Sequence, residues 1–464
     1  MDDRINQYID NAKEQMLLDL KKLVEIRSVR GEATPDHPFG EGPAEALDEA
    51  LKLLQAHGFS AENNDYYALQ ADLGTEPVLM LLAHLDVVDE GDGWTRAPYS
   101  LTREGDLVYG RGTTDDKGPA VACLYAMLAC RETLGEPKRG VRLVLGCGEE
   151  TGSEDMEHYF ASHPYLPYTL SPDADYPLIN IEKGRFAPFF TKQCKNEGEK
   201  RIVSVTGGGT QNIVPGKAHA VVAGLDKAVV TAAAEAAAKE TGAAFTVTGT
   251  GEGVRIDAAG NTAHAASPEK GVNAQTALLA LLCRLPLDEN ETTAAVQALC
   301  RLFPHGDTAG EALGVAMADA ESGALTMNFG VLSFDNGAFR CGFDIRSPLC
   351  GNTENIVEAI RKRLAEAGFS YEGDPALRPV HYVPADSPLV LECLDVYAQY
   401  TGKKGECLAI GGGTYVHDIE GGVAFGVEFP GRDYRIHGAD EFADIGELLL
   451  TAKMYAEVIR RLCY

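Results

Sequence analysis

Two hydrophobic rhythms alternate along the first part of the chain. Between residues 1 and about 184, apolar positions at helical spacing (4 to 26, 43 to 57, 117 to 134) are interleaved with continuous apolar runs. The runs are "VLMLLAHLDVV" at 78 to 88 and "VRLVLGCG" at 141 to 148. Short uninterrupted runs between longer helical segments predict an α/β domain, with a mixed, mostly parallel sheet flanked by helices. Functional groups in such a sheet belong at the carboxyl ends of its strands.

The rhythm changes between about 185 and 383. Strand-like runs "RIVSVT" and "AHAVVAG", an alanine-rich helix at 226 to 240, the runs "AFTVTG" and "VRIDAAG", and a helix at 271 to 285 form one unit. A similar order returns in "ALTMNFGVLSF", "AFRCGFDIR" and the helix "TENIVEAIRKRLAEAG". This predicts an inserted α+β domain made of two ββα-type halves, without a fixed-period repeat. From 384 to 464, helices at 388 to 401 and 444 to 462 surround a glycine-rich strand segment. The expected division is therefore a first domain from 1–184 and 384–464, with 185–383 as an insertion.

Composition narrows the function classes. A chain of 464 residues exceeds the roughly 250 at which single cores stop growing, in keeping with two domains. With 41 basic against 69 acidic side chains, the net charge of −28 repels nucleic acid and anionic membranes. No apolar run reaches the roughly 18 residues of a membrane span. The eleven cysteines are scattered, without a C-x-x-C, and Cys123, Cys283 and Cys393 sit among apolar neighbours as buried thiols do. That usage, with an acidic, helix-patterned N-terminus unlike a signal peptide, points to the cytoplasm.

Several junctions between apolar strand and polar loop carry titratable groups. In "LVYGRGTTDDKGPA" (107 to 120), Asp115 and Asp116 are adjacent in a glycine-framed turn, where they repel one another unless a cation lies between them. The loop lacks the Gly-Lys-Ser/Thr ending of a phosphate cradle and the ligand spacing of an EF-hand, so the choice is a metal ligand or a solvated acidic turn. His84 and Asp86 are two apart at the end of an apolar run and project from one face, as a metal-bound imidazole and its carboxylate support or as a buried His–Asp pair. Glu149 and Glu150 follow the run at 141 to 146 directly, and one could bind metal while the other carries protons. Asp173 and Asp175 precede a further strand, and His437 lies between a short strand-like run and the last helix. Two histidines and several carboxylates at strand–loop junctions suit zinc, manganese or cobalt, with a shared aspartate holding two ions.

Those segments, with Trp94 beside "APYS", "GNTAHAASPEKGVNA" and "HGADEF", occur in the order found in the co-catalytic zinc metallopeptidases, which include aminoacylase, glutamate carboxypeptidase and succinyl-diaminopimelate desuccinylase. The chain most resembles the bacterial dipeptidase V and carnosinase-type branch, through "GGGTYVHDIEGGVAFGVEFPG", "NIVPGKAHA" and the long insertion. The resemblance spans nearly the whole chain. It implies His84, Asp115, Glu150, Asp173 and His437 as ligands of two divalent cations, zinc first and manganese or cobalt as alternatives. Asp115 would bridge them, with a cis peptide to Asp116.

The resemblance further implies Glu149 as general base and Asp86 as the acid behind the histidine. His264 would meet the oxyanion from a closing lid, and Asn212 and Arg346 would bind the substrate's carboxylate end. The implied reaction is hydrolysis of a dipeptide, β-alanyl or Xaa-His dipeptides included, by a hydroxide bridging the two cations. The long lid is compatible with a working monomer. A hydrolase of N-acylated amino acids on the same scaffold is the nearest alternative; a metal- or peptide-binding protein without catalysis would have no need of Glu149.

Overall fold

The apolar run at 78 to 88 forms the strand Pro77–His84 in the computed structural model, which describes residues 2–464. Successive side chains of a strand point to opposite faces. Leu79, Leu81 and Ala83 accordingly enter one core and Met80 and Leu82 another, so both faces are covered. The strand stops at His84 because its parallel neighbour Gly140–Gly146 ends opposite it at Gly146, with the Leu85 amide donating to Gly146 O at 2.9 Å.

The chain divides into two compact units. One holds the chain through Ile181, His381–Leu408 and Gly413–Tyr464; the other holds Glu182–Val380 and Ala409–Gly412. The sheet of the first unit runs Ala61–Asn64, Ala68–Leu73, Gly140–Gly146, Pro77–His84, Tyr168–Ser171, Val423–Ala424, Leu178–Glu182 and His381–Tyr382. Its centre, from Gly140–Gly146 to Val423–Ala424, is parallel, and the two strands on the Ala61 side pair antiparallel.

The helix Lys117–Leu134 is buried from Lys117 to Cys130, which is why its sequence "VACLYAMLAC" is apolar on every side. It shares one core with the helices Asp3–Val24 and Ile445–Cys463 on one face of the sheet. Tyr159, Met156, Tyr415 and Ile419 cover Met80, Leu82 and Val144 on the other.

The second unit is built on an antiparallel sheet in the order Ala244–Thr250, Gly253–Ala259, Lys217–Ala223, Arg201–Gly207, Thr326–Asp335, Ala338–Ser347, Phe189–Gln193 and Ser370–Tyr371. The pairing of Val205–Gly207 with Leu332–Phe334 joins the strands of both ββα-like segments into this continuous sheet. Its core is aromatic, with Phe303 and Phe329 stacked at 4.3 Å between ring centroids.

Three local expectations are corrected. The segment before His437 is not a strand, because Arg435 and His437 take left-handed φ of 58° and 61°, which no strand accommodates. Asp173 lies in a loop ahead of Leu178–Glu182, but Asp175 is in a short strand of its own, Ala174–Asp175, paired with Val427–Glu428. Cys283 is exposed at the C-cap of the helix Ala274–Leu282, where the chain leaves the apolar face that buries its neighbours.

Candidate metal centre

Three parallel strands end together and deliver their loops to one place. His84 closes Pro77–His84 opposite Gly146, Glu149 and Glu150 stand three and four residues beyond Gly146, and Asp173 is two beyond Ser171. A Cβ at Gly146 would collide with the hydroxyl of Tyr415, so only glycine admits the ring there. Tyr415 donates in turn to Asp155, whose carboxylate also accepts the amides of Cys147 and Gly148 at 2.8 Å each. The fourth element is the turn before helix Lys117–Leu134, where Asp116 is the N-cap and the Asp115–Asp116 peptide is cis.

The turn is held from the far end of the sequence. Strand Phe442–Asp444 pairs antiparallel with Leu107–Tyr109, bringing Glu441 beneath residues 111 to 115. Glu441 Oε1 accepts the amides of Gly112 (3.0 Å), Thr114 (3.0 Å) and Asp115 (3.2 Å), and Oε2 accepts Arg111 Nη1 at 2.7 Å. Both partners are buried. Lys117 is buried as well, donating to the carbonyls of Leu23 (2.9 Å) and Ile26 (2.8 Å). Burial, only partly offset by Glu441 and Asp86, brings its pKa down to about 7.

The two oxygens of Asp115 face different partners. Oδ1 lies 3.0 Å from His84 Nε2, which is 3.7 Å from Asp173 Oδ2. Oδ2 lies 2.9 Å from His437 Nε2, which is 3.2 Å from Glu150 Oε1. Donor atoms of His84, Asp115 and Glu150 lie within 4.8 Å of one another, as do those of His84, Glu149 and Asp173. Asp86 serves both sides: its carbonyl is 3.0 Å from His84 Nδ1, and its carboxylate accepts the amides of Glu149 (3.3 Å) and Glu150 (3.1 Å). The carboxylate itself is 3.4 Å from Nδ1, farther than the carbonyl.

The clustered acids and histidines shift one another's ionisation. Burial opposes a charge on His84, but Asp115, Asp173 and Asp86 outweigh it and hold the imidazole well above the usual histidine range. The same contest, decided by Asp115 and Glu150, pushes His437 up to about 11. Burial raises Glu149 far above the carboxylate range, with Asp173 and Glu150 adding to it, and burial with Asp115 raises Glu150 to about 7. Asp173 and Asp116 are raised for similar reasons. Like charges crowded in low dielectric are relieved by cations.

The donor set passes a direct test for cations. A carbonyl only accepts, so Asp86 O fixes the proton of neutral His84 on Nδ1 and leaves the Nε2 lone pair facing inward. Nε2 is buried and makes no hydrogen bond of proper direction despite its closeness to Asp115. Imidazole nitrogen with carboxylate oxygens suits zinc, manganese or cobalt.

A sequence profile of Peptidase family M20/M25/M40 matches residues 80–461. The chain belongs to this peptidase family. All six clustered side chains, His84, Asp115, Glu149, Glu150, Asp173 and His437, fall within the matched residues. YtjP of Bacillus subtilis (strain 168) is 33% identical over 458 residues, 97% of each chain. Beta-Ala-Xaa dipeptidase of Lactobacillus delbrueckii subsp. lactis is 31% identical over 474 residues, covering 100% of this chain and 99% of its own. The structure of human carnosine dipeptidase 1 shares the fold, with a TM-score of 0.60 at 16% identity over 98% of this chain and 97% of that one. This M20/M25/M40 peptidase is a metallopeptidase acting on peptide bonds.

The remaining predicted residues lie in the second unit and come together at one end of it. Asn212 O accepts the Ala265 amide at 2.9 Å and Ile213 bridges to His264, so the Asn212 and His264 segments run side by side. Thr326, paired with Arg346, donates to Ala265 O at 3.4 Å. Arg346 is anchored by Asp344 (Nε to Oδ1, 2.6 Å) and by the carbonyl of Gly411 (2.6 Å). The Ala266 amide donates to His264 Nδ1 at 3.2 Å, which puts the proton of a neutral ring on Nε2.

Sequence reasoning missed Glu441, Arg111, Asp155, Tyr415 and Glu428. Glu428, in strand Val427–Glu428 beside Asp175, is raised to about 8 by burial and by Asp175, Asp115 and Asp173. Glu441 lies four residues past His437 in "HGADEF", but its burial depends on packing that the sequence does not show.

Proposed function

We propose that this metallopeptidase is a dipeptidase that works with two divalent cations, zinc first among them, and that it accepts β-alanyl dipeptides. The observation carrying the two-cation reading is the placement of Asp115, whose oxygens each meet a separate histidine and acid. His84 with Asp173 would hold one cation and His437 with Glu150 the other, Asp115 serving both. The full-length likeness to Beta-Ala-Xaa dipeptidase supports the substrate class.

When bound, the cations supply the charge that polarises the scissile carbonyl and makes water a nucleophile near neutral pH. Glu149, held beside the ligands by the amide contacts of Asp86, accepts a proton from the attacking water and returns it to the leaving amine. Asp86 acts as the positioning residue, orienting His84 and the Glu149–Glu150 turn together. His264, with its proton on Nε2, is suited to donate to the oxyanion, and Asn212 and Arg346 to receive the substrate's carboxylate. Among the described residues no helix is long and apolar enough to cross a membrane. We place the enzyme in the cytoplasm, acting as a monomer on free dipeptides.

Initial rates on a panel of dipeptides, β-alanyl dipeptides and N-acetyl or N-succinyl amino acids test this reading. Turnover of free dipeptides at least tenfold above the acylated amino acids is expected. The reverse order would make the enzyme an amidohydrolase of acylated amino acids.

A further inference from the structure

Seven of the eleven thiols are buried. Two of the others face each other. Cys283 closes the helix Ala274–Leu282 and is exposed; Cys300 lies in the last turn of the helix Glu291–Leu302 and is half-buried. The helices pack into one core, and Cys283 Sγ lies 3.9 Å from the carbonyl of Val296, one turn before Cys300. The two thiols are near enough for each to shift the ionisation of the other. Arg284 and Arg301, their sequence neighbours, add positive charge around the pair, partly offset by Glu240, which is ion-paired with Arg284.

The thiols are chemically unequal. The neighbouring Cys283, helped by Arg284 and Arg301 against the opposing effects of burial and Glu240, lowers Cys300 to about 7, whereas Cys300 and burial raise Cys283. The other nine cysteines are all held above the usual thiol value, mainly by burial, and this includes the exposed Cys350 beside Asp319. A thiolate at neutral pH next to a second, solvent-accessible thiol is the arrangement of a nucleophile and a resolving partner.

We propose that Cys283 and Cys300 are a dithiol–disulfide couple, a redox modification site on the second unit that responds to disulfides of the glutathione type. Cys300 thiolate attacks one sulfur of the reagent, forming a mixed disulfide and expelling one thiolate. Cys283, once deprotonated, attacks the Cys300 sulfur, closing the Cys283–Cys300 bond and expelling the second thiolate. Two protein thiols are oxidised, one reagent disulfide is reduced to two thiols, and the two protons end on those products. The bond would tie together the C-terminal ends of two helices. One of them begins at Asn273, whose side chain anchors to Phe329 O at 2.8 Å immediately after the segment bearing His264. Oxidation therefore braces the support of that segment.

The test uses the full chain under native conditions. After incubation with oxidised glutathione, acid quenching and digestion, mass spectrometry should find a Cys283–Cys300 cross-linked peptide lacking two hydrogens, reversible by dithiothreitol. Cys283→Ser should stop at glutathione on Cys300, and Cys300→Ser should form neither product. In the unmodified protein, iodoacetamide at pH 7 should label Cys300 roughly fivefold or more faster than Cys350, the gain in thiolate fraction outweighing the loss of intrinsic nucleophilicity. A stable mixed disulfide on wild-type Cys300 without the cross-link, or equal labelling of Cys300 and Cys350, would overturn the proposal.

Discussion

Glutamine at position 441 would keep the shape of the buried acid and remove its charge. In the native arrangement one oxygen accepts three amides of the 112 to 115 turn and the other accepts Arg111. A carboxamide has one acceptor oxygen. If it stays with the amides, an NH2 group faces Arg111 Nη1 across 2.7 Å, donor against donor; if it turns to Arg111, three amides lose their acceptor. Either way a buried charge loses its partner, which costs about 3–5 kcal/mol. Glu104, whose ion pair with Arg96 at 2.8 Å leaves its own side chain 52% exposed, is the control, and Glu104→Gln should cost about 0–1 kcal/mol. At roughly 2–4 °C per kcal/mol for a domain of this class, Glu441→Gln should lower Tm by roughly 6–20 °C. Differential scanning calorimetry of the two variants, with and without zinc, reads this directly. Because the Asp115 amide is one of the three donors, zinc affinity should fall as well. Equal Tm values for both variants would refute the claim that Glu441 fixes the ligand turn.

Other consequences follow from the same geometry. Glu149→Ala should retain metal and lose turnover by a factor of 100 or more, on the order of general-base catalysis, whereas His84→Ala should lose metal; metal analysis beside initial rates separates them. His264→Ala should lower kcat without releasing metal, and a metal-free variant would remove it from the oxyanion role. In the metal-free protein the raised pKa of His437 contributes stability that is fully present below about 6.5 and is lost as pH rises through about 11. Cations must displace those protons, so calorimetric titrations in buffers of different ionisation enthalpy should show proton release at pH 7 and tighter binding as pH rises. Binding without proton release would mean the histidines are not ligands.

The helices Lys117–Leu134 and Pro388–Thr401 were legible to the residue, the first from an unbroken apolar stretch and the second from its proline start and glycine stop. His84, Glu149, Glu150 and Asp173 stood out because each follows the end of an apolar strand, whereas Asp115 and His437 lie in turns and stood out through the order of motifs along the chain. Position in space was not legible. "DYRI" alternates as a strand does, yet Arg435 and His437 are left-handed, and the segment is tied down by Asp440, which accepts a hydrogen bond from Thr95, 345 residues away. Cys283 looked buried from its apolar neighbours because sequence does not say on which side of a helix end the chain departs. Arg111 and Glu441 are 330 residues apart, and Tyr415 and Asp155 are 260 apart; a single sequence carries no signal for either pairing.

The central claim, that Asp115 is shared by two cation sites, is tested most directly by equilibrium zinc titration of the metal-stripped protein against Asp115→Ala. The account predicts two zinc ions bound tightly per wild-type chain and loss of both in the variant. One ion per wild-type chain, or a variant that still binds two, would contradict it.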